Sequence, residues 1–514
     1  MRRLPTNKLT GAKWMITSWT AVSLAGCAFG MSSTSDPESG ARTVTVGAQG
    51  GGRGQAAPIL DRNVVPAVGA PQSLEFPEIE DYTLGNGLRV VLVRRPALPL
   101  VSLELQFQGG ASAHPASQAG LAGLAADVLD EGTPTRTALE IADQVDLLGA
   151  SMSSTAGYDA SQVRLSVLRS RFPEALGILA DVVMRPVFPE ADLERLRRER
   201  LSRVIQRSAV PAALADDAFE EVLYGADNPY GAPLLGTKAT LEALTREDVV
   251  AFHRARYAPG QATLVVAGDL RQEDLDELLA QAFAGWSGTG VDARPVPVAA
   301  SPTRRTIYLV DKPGAAQSEI RIGRVGVGRD TDVYFPLSVM NTVLGGSFTS
   351  RLNAKLREEK GYTYGAGSFF DLRRAPGPFE ASAAVATEVT DSAVMDFVQE
   401  MDRMAAEEVP AGELRRARNY LALRLPQRFE SVDDLVRRFS ELVLYEIPLD
   451  FYAGYVEGVQ SVDAAAVRTA AETLLGTERM AVVVAGDRSV IEEPLRALNL
   501  GPVVVFDRRP ISQE

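Results

Sequence analysis

The hexapeptide Leu264-Val265-Val266-Ala267-Gly268-Asp269 recurs as Val482-Val483-Val484-Ala485-Gly486-Asp487, 218 positions further along the chain. A second pair keeps almost the same offset, since Leu92-Val93-Arg94-Arg95-Pro96 is matched 217 positions later by Leu309-Val310-Asp311-Lys312-Pro313. Short apolar runs that end at Gly, Pro or Asp are typical of buried strands. A shared offset at two separate places indicates an internal repeat. The folded part is therefore predicted to be a duplication in which each half opens and closes with a strand.

Strands and long helices are predicted between the repeated segments. Alternation of apolar and polar residues predicts strands over 101–107 and 319–325. Apolar residues at helical spacing predict helices over 118–130, 137–149, 172–184, 189–208, 334–344, 350–359, 390–407, 411–425 and 431–446. This order of elements predicts an α+β fold of two α/β sandwich halves, each with helices packed on one face of its sheet.

Composition sets the boundaries of the two halves. Residues 287–302 are rich in Gly, Pro and Ala and predict an interdomain linker. The first half is therefore placed at 77–286 and the second at 303–510. The segment 28–76 is rich in Gly, Ala, Ser and Pro, has little hydrophobic periodicity, and predicts a flexible tether.

The first 27 residues predict an export and anchoring signal. A basic start precedes a moderately apolar run, 14–25, which is too short to span a bilayer. The run ends in Leu24-Ala25-Gly26-Cys27, which resembles a bacterial lipobox and implies acylation of Cys27. An ordinary signal peptide with a chance cysteine is the alternative. Because Ala28 follows the cysteine, we expect a lipid-anchored protein of the cell envelope, at the outer membrane facing the periplasm.

Residue counts exclude several classes of protein. The formal net charge of −13 disfavours nucleic acid as a partner, because phosphate binding needs a dense basic face. Cys27 is the only cysteine, so the chain has no internal disulfide and no zinc ribbon. His114 and His253 are the only histidines, which excludes a three-histidine metal site and a His-x-x-Glu-His helix. We expect no metal or other cofactor in this chain.

A series of short motifs is informative through its order and spacing. The motifs are Tyr82-Thr83-Leu84-Gly85-Asn86-Gly87-Leu88-Arg89-Val90, Gly120-Leu121-Ala122, Gly132-Thr133, Asn228-Pro229-Tyr230-Gly231, Leu235-Gly236-Thr237 and the two Val-Ala-Gly-Asp endings. Over about 78–507 the chain resembles the pitrilysin/insulinase (M16) peptidases, which include mitochondrial processing peptidase and bacterial periplasmic zinc proteases. The resemblance implies two homologous M16-type halves that form a clamshell with a cavity for an extended peptide. It also implies that 105–111 is the edge strand of the first sheet.

The resemblance further implies a degenerate zinc site. In active family members the helix after Gly-Leu-Ala carries His-x-x-Glu-His, whose histidines bind zinc and whose Glu is the general base. Here the two histidine positions fall on Gly123 and Asp127, and the base falls on Ala126. The family's third ligand, a Glu about 76 residues further on, falls near Arg203. All four positions have therefore lost the chemistry.

Two hypotheses concern what replaces the zinc. An improvised metal site would use Asp127, Asp130, Glu131 and His114, although the ordinary interpretation of Asp130 and Glu131 is a solvated helix end. The other hypothesis is an ion pair between Asp127 and Arg203 in the space of the absent metal. A separation well beyond 4 Å between their charged groups would contradict the ion pair.

The second half keeps a different family element, Leu356-Arg357-Glu358-Glu359-Lys360-Gly361-Tyr362-Thr363-Tyr364. Ser350 predicts the start of its helix, Gly361 the end, and a strand is predicted to open at Tyr364. The element resembles the family's Arg/Tyr pair. The resemblance implies that Arg357 holds a substrate carbonyl and that Tyr364 donates its O–H to a carbonyl or oxyanion. The alternative is structural, with Arg357 paired to a Glu and Tyr364 half-buried in a strand.

A chain of this kind resembles the non-catalytic subunit of a two-chain peptidase. We expect Arg357 and Tyr364 to act in trans on an unfolded or extended peptide, at a zinc bound by an M16 partner that has His-x-x-Glu-His. Membrane contact is expected through the lipid anchor only. The alternative is a pseudo-peptidase that serves as a peptide-binding or scaffold protein of an envelope complex. A peptidase active by itself would contain stoichiometric metal, which we do not expect.

Overall fold

The computed structural model describes residues 69, 76–292, 295–297, 299 and 302–507. The predicted signal peptide 1–27, with Cys27, and nearly all of the predicted tether 28–76 lie outside the described residues. Within the described ranges no helix has the length and apolar character needed to cross a membrane. The described residues from 69 to 507 belong to one compact unit.

The first half is built on a mixed sheet of six strands in its described residues, with a small separate hairpin. The strands are β1 (Ile79–Thr83), β2 (Arg89–Arg94), β3 (Leu100–Gln108), β4 (Gly132–Thr133), β5 (Arg136–Thr137), β6 (Ser151–Ala156), β7 (Ala160–Leu168) and β8 (Ala262–Gly268). The sheet order is β1-β2-β8-β3-β7-β6, and β4 pairs with β5. Only the β2–β8 pair of this sheet is parallel.

Helices pack around this sheet. They are α1 (Leu121–Asp127), α2 (Ala138–Leu147), α3 (Phe172–Met184), α4 (Glu190–Ser208), α5 (Pro211–Tyr224), α6 (Lys238–Ala243), α7 (Arg246–Arg256) and α8 (Gln272–Ala282). Several begin at the residue types that cap helices. Thr137, Thr237 and Thr245 each accept a hydrogen bond from the backbone three residues on, in capping boxes.

The second half repeats the plan. Its strands are β9 (Thr306–Asp311), β10 (Gln317–Val325), β11 (Ala366–Phe370), β12 (Pro378–Ala386), β13 (Ala481–Gly486) and β14 (Val503–Val505), in the order β11-β12-β10-β13-β9-β14. Its helices are α9 (Tyr334–Leu344), α10 (Arg351–Asn353), α11 (Thr390–Ala406), α12 (Ala411–Leu423), α13 (Val432–Leu444), α14 (Tyr455–Ser461), α15 (Ala464–Leu474) and α16 (Arg488–Ala497). The predicted helices and strands are confirmed, with small differences at their ends.

One predicted strand position is wrong. The segment 105–111 was expected at the edge of the first sheet, but β3 pairs with β7 on one side and with β8 on the other. It is therefore an inner strand, which explains why Leu105 and Phe107 are fully buried. The edge strand that contacts α1 is β6.

The repeated apolar strands are buried on both faces. In β8, Leu264 and Val266 belong to the core of the first half, whereas Val265 and Ala267 pack into the core that contains the second-half helices. Successive side chains of a strand point to opposite faces, so a strand covered on both sides reads as a continuous apolar run. The hexapeptides therefore mark the centre of each sheet.

Each half covers the sheet of the other with one helix. Helix α13 of the second half packs across β3, β8 and β2, while α5 of the first half packs across β13 and β10. The prediction of helices on one face of each sheet is therefore incomplete, because the opposite face is covered by the exchanged helix. This exchange joins the two halves into a single folded unit.

The contact of α5 with the second sheet contains a buried charge cluster. The Arg321 guanidinium lies 2.8 Å from Asp216 of α5, 3.1 Å from Glu319 and 3.4 Å from Glu380. Burial raises the pKa of Glu380 to about 7, Arg321 acts in the opposite direction, and Asp216 adds to the rise. One cation among three carboxylates favours a proton on Glu380 in the folded state.

Glu380→Gln is expected to remove part of the pH dependence of stability. A carboxyl whose folded pKa is raised stabilises fully below its ordinary value of 4.5, and that contribution is lost as the pH rises through about 7. The glutamine stays neutral, so the melting temperature should fall less between pH 5 and 8 than in the wild type. The exposed Glu388→Gln is the matched control. Identical pH profiles for wild type and Glu380→Gln would contradict the proton on Glu380.

Candidate functional site

Helix α1 carries three of the four altered zinc positions. It begins after Gly120, whose φ of 93° lies in the left-handed region that favours glycine. A Cβ on Gly120 would lie 3.0 Å from the backbone of Gly236, so this glycine also permits a close approach. Gly123 and Asp127 follow on one face of the helix. Gly123 and Ala126 are buried, which places the altered positions inside the first half.

The Arg200 side chain of α4 occupies the space beside Gly123. A Cβ on Gly123 would lie only 2.4 Å from Nη2 and 2.8 Å from Nη1 of Arg200. Nε of Arg200 donates to Oδ2 of Asp127 at 2.7 Å, and Nη1 donates to the carbonyl of Leu235 at 3.3 Å. The guanidinium is 8% exposed. It therefore lies against both of the positions at which the resemblance places zinc-binding histidines.

The predicted partner of Asp127 is wrong by one helical turn. Arg203 is exposed, and it lies 4.0 Å from Glu199 on its own helix. The buried residues of α4 include Leu193, Arg197, Arg200 and Val204, which lie on one face at helical spacing. Arg203 points away from that face. The ion pair between the two helices exists, but Arg200 forms it, and the periodicity of α4 would have identified this residue.

The residues of the improvised metal site are engaged elsewhere. Glu131 pairs with Arg195 at 2.6 Å, and burial raises the pKa of Asp130. Nε2 of His114 accepts from the backbone N–H of Ala122 at 3.4 Å. Burial lowers the pKa of His114, which favours a neutral, structural imidazole. In the described part of the chain no group of three or more His, Cys, Asp or Glu side chains is placed to hold a metal ion.

The other histidine is also structural. Nε2 of His253 lies 2.8 Å from the carbonyl oxygen of Val183, and its ring stacks on Tyr257. Burial lowers its pKa as well. The first half therefore does not fit a zinc ion: a glycine, an alanine and a carboxylate already paired to a guanidinium stand at the expected positions.

Arg357 lies on an unusual helical turn of the second half. After α10 the chain winds as a π-helix over Ala354–Glu359, which ends at Gly361 with φ 67°. π-Helical turns are frequent at functional sites. The Arg357 guanidinium lies 4.5 Å above the ring of Phe348, and among the described residues it has no carboxylate partner. The structural alternative, in which Arg357 is paired to a Glu, is therefore not what the structure shows.

Tyr364 is 94% exposed and precedes the strand instead of opening it, since β11 begins at Ala366. Its phenol is thus free to meet a ligand outside the chain. The predicted half-buried strand aromatic is wrong for this residue, because the chain makes a bend at 364 before the ladder of β11 starts. No hydrogen bond joins Arg357 and Tyr364 in the described residues; Arg357 is half-buried against Phe348 and Tyr364 is exposed, so they are separate donors.

A buried asparagine, which the sequence analysis did not identify, ties this region together. Nδ2 of Asn353 donates to the carbonyl of Phe348 at 2.7 Å, and its Oδ1 accepts from the backbone N–H of Ala366 at 3.3 Å. Asn353 is 4% exposed. It therefore fixes the loop that carries Phe348 against the start of the strand that follows Tyr364.

Two family models match most of the folded part. Residues 89–238 match the model described as "Insulinase (Peptidase family M16)", and residues 243–421 match "Peptidase M16 inactive domain". An uncharacterized zinc protease of Mycobacterium tuberculosis is 31% identical over 309 residues, which are 59% of this chain and 69% of the relative. An uncharacterized zinc protease of Bacillus subtilis is 26% identical over 57% of this chain and 70% of its own length.

Solved structures agree with the sequence relatives. A peptidase M16 inactive domain from Pseudomonas fluorescens superposes with a TM-score of 0.75 and 26% identity, covering 79% of this chain and 98% of that one. A protease from Helicobacter pylori gives a TM-score of 0.74 at 17% identity, over 80% and 100% of the two chains. A chain of complex III from Candida albicans superposes with a TM-score of 0.69 at 14% sequence identity, covering 82% of this chain and 100% of that one. This similarity is one of fold.

The duplicated α+β fold thus defines an M16-type protein, and the chain belongs to the insulinase (M16) peptidase family. The description "inactive domain" attaches to the model that matches mainly the second half. The altered zinc positions lie in the first half, where the insulinase model matches. Gly123, Ala126 and Asp127 stand where the resemblance implies zinc ligands and a general base, and Arg200 lies against Gly123 and Asp127.

Proposed function

We propose that this chain is the non-catalytic, substrate-positioning subunit of a two-chain zinc peptidase of the insulinase family. Its partner is an M16 chain with His-x-x-Glu-His that binds the zinc, and this chain supplies Arg357 and Tyr364. One contrast supports the proposal most strongly. The guanidinium of Arg200 lies against the positions where the resemblance places the zinc ligands, whereas the Arg/Tyr element of the second half is intact, with Arg357 half-buried and Tyr364 exposed.

Arg357 and Tyr364 suit the recognition of a peptide carbonyl. A guanidinium stays protonated at all relevant pH values and presents several N–H donors in a fixed plane. The phenol of Tyr364 carries one O–H donor. Donors of this kind stabilise negative charge that develops on a carbonyl oxygen without exchanging a proton. This chain would thus position the substrate and stabilise the transition state at the partner's zinc.

The peptide itself is expected along a free sheet edge. β6 ends the first sheet, pairs only with β7, and contacts α1. Its residues alternate between exposed and half-buried, and Ser151, Ser153 and Thr155 are exposed. An extended peptide can add to such an edge through main-chain hydrogen bonds.

Export and lipidation complete the proposal. Acylation of Cys27 would hold the folded unit at the outer membrane, facing the periplasm, through a lipid anchor alone. The support for this location is the sequence Leu24-Ala25-Gly26-Cys27 and the compositionally simple segment that follows it. Growth with radiolabelled palmitate tests it, because the wild type should incorporate label and Cys27→Ser should not.

Co-purification tests the two-chain assembly. The tagged chain is recovered from detergent-solubilised membranes of its own organism, and the proteins bound to it are identified by mass spectrometry. The proposal requires a chain with His-x-x-Glu-His in stable, stoichiometric association. Recovery of this chain alone, at the expression level of the native protein, would contradict the proposal.

The alternative function is a peptide-binding scaffold without an enzymatic role. The observation that favours it is the fixed filling of the zinc position by Arg200, which makes the first half inert. A scaffold would bind its partner and peptides, but the turnover of any associated peptidase would not depend on Arg357 or Tyr364. The two functions therefore differ in the effect of those side chains on kcat.

Phe348→Ala is expected to lower the kcat of the two-chain enzyme about 2- to 5-fold, since a cation–π contact at an exposed site contributes about 0.5–1 kcal/mol. The reason is that the ring of Phe348 holds the Arg357 guanidinium at 4.5 Å. Phe348→Trp should retain the activity. Phe369→Ala removes another exposed phenylalanine of the second half and is the matched control. Equal losses for the 348 and 369 alanine variants would show that Phe348 does not position Arg357.

A further inference from the structure

The two edge strands next to the candidate site end at a single contact between the halves. β6 ends at Ala156 and turns through 157–159 into β7, while β11 ends at Phe370 and passes through 371–377 into β12. The first-half turn is itself anchored, because Ala111 and Ser112 donate backbone N–H groups to the carbonyls of Gly157 and Tyr158. The second-half loop lies against this turn.

Arg373 of the second-half loop is enclosed by aromatic rings of the first half. Its guanidinium carbon lies 4.1 Å from the ring centre of Tyr158, 4.9 Å from that of Tyr230 and 5.7 Å from that of Tyr224. It also pairs with Glu220 of α5 at 2.5 Å, and its side chain is 4% exposed. A desolvated guanidinium over aromatic faces is held more strongly than one at an exposed site. We call this group the Arg373 cage.

Asp159 of the first-half turn makes the reciprocal contact. Its carboxylate accepts from the backbone N–H of Arg374 at 2.8 Å and from the Tyr445 hydroxyl at 3.4 Å, both in the second half. It also accepts from the Tyr230 hydroxyl at 2.5 Å. Asp159 is 5% exposed, so these donors replace most of the water that would otherwise solvate its carboxylate. A buried cation and a buried anion thus each have partners across the same contact, and Arg373 also pairs with Asp371 of its own loop at 2.7 Å.

We propose that the Arg373 cage and Asp159 form a latch that fixes the angle between the two edge strands, so that the halves do not open at this end. Separation of the turn from the loop would leave the Arg373 guanidinium with only Asp371 of its own loop, 2.7 Å away. It would leave the Asp159 carboxylate with only the Tyr230 hydroxyl. Removing part of the partners of a buried charged group is costly. The exchanged helices α5 and α13 join the halves by packing on the faces of the two sheets. The latch joins them at the ends of β6 and β11. The opposite end of β11 is the end that follows Tyr364. The latch does not depend on the proposed function.

The test measures the distance between the halves in the full chain. Cys27 is changed to serine, and nitroxide labels are placed at Asp143→Cys in α2 and Arg415→Cys in α12, two exposed helical positions in different halves. Pulsed electron paramagnetic resonance should give one narrow distance distribution. Arg373→Ala should lose this narrow distribution and gain a population at longer distance. Millimolar methylguanidinium, which can refill the cage, should restore it.

A matched control separates the latch from general loss of stability. Arg329 is 3% exposed, pairs with Glu441 at 2.9 Å and lies 4.3 Å from the ring centre of Tyr334, with all three residues in the second half. Arg329→Ala should lower the melting temperature but keep the narrow distribution. If Arg373→Ala does not fold, Tyr158→Leu removes one face of the cage and should broaden the distribution. A narrow distribution in folded Arg373→Ala or Tyr158→Leu, failed rescue by methylguanidinium, or equal broadening in Arg329→Ala would overturn the latch.

Discussion

Arg357→Ala is expected to lower the kcat of the assembled two-chain peptidase by about 10²–10³-fold, the usual loss when one preorganised donor to a developing oxyanion is removed. The physical reason is that the guanidinium has no carboxylate partner in the described residues and is held only by the Phe348 ring, so its donors are available to substrate. Steady-state hydrolysis of a fluorogenic peptide measures the effect. Tyr364→Phe, which removes only the hydroxyl, should also lower kcat.

The controls distinguish catalysis from assembly. Arg357→Ala should co-purify with the partner in the same amount as the wild type, because the half-buried Arg357 has no carboxylate partner in the described residues that its removal would leave unpaired. Arg357→Lys should recover part of the rate, since lysine keeps the charge but not the planar fork of donors. If both Arg357→Ala and Tyr364→Phe leave kcat and KM unchanged in an intact complex, the positioning role is wrong and the scaffold function is favoured.

Rebuilding the zinc site is expected to require the removal of Arg200. The triple variant Gly123→His, Ala126→Glu, Asp127→His should bind no stoichiometric zinc, because the buried Arg200 cation lies beside position 123 and no third protein ligand is present. Adding Arg200→Glu removes the competing cation and supplies a carboxylate from the same helix face. The fourfold variant should then hold about one zinc ion per chain, as expected for two histidines and a glutamate. Inductively coupled plasma mass spectrometry after dialysis gives the metal content.

Two further variants make this experiment decisive. Arg203→Glu in place of Arg200→Glu places the carboxylate on the exposed face of α4, so it should not restore zinc. Arg200→Glu alone leaves no histidine and should also remain without metal. Stoichiometric zinc in the triple variant that still contains Arg200 would show that the guanidinium does not occupy the zinc position.

Much of the fold could be predicted from the sequence because the repeats are strong local signals. The doubly buried strands read as continuous apolar runs, as Leu264 to Ala267 show, and long amphipathic helices such as α3 and α4 keep a clear period. The edge position of 105–111, which the resemblance implied, is wrong because β3 pairs with β7 and with β8, and the pattern of a single strand does not reveal how many neighbours it has.

The candidate site was predictable where a motif is contiguous and less so where it is assembled in space. Gly123, Ala126 and Asp127 lie on one short helix, so their loss of zinc chemistry could be stated from the sequence. The predicted ion-pair partner of Asp127 depended on a residue count across 76 positions, which pointed to the exposed Arg203 and not to the buried Arg200 that forms the pair. The helical periodicity of α4 indicates the buried residue.

The contacts between the halves could not be predicted, because they are formed by side chains far apart in the sequence. Nothing local to Arg373 indicates that its guanidinium meets Tyr158 and Tyr230. Likewise, the amphipathic pattern of α13 predicts a buried face but not the sheet that covers it. That α13 lies on the sheet of the other half follows only from the packing.

The hydrolysis rate of an unfolded peptide by the partner alone, by this chain alone and by their equimolar mixture tests the central claim most directly. Each protein is purified separately, and its zinc content is measured before mixing. The account predicts zinc only in the partner, negligible hydrolysis by either chain alone and rapid hydrolysis by the mixture, which Arg357→Ala abolishes. Equal hydrolysis by the partner with and without this chain, or hydrolysis by this chain alone with bound zinc, would contradict it.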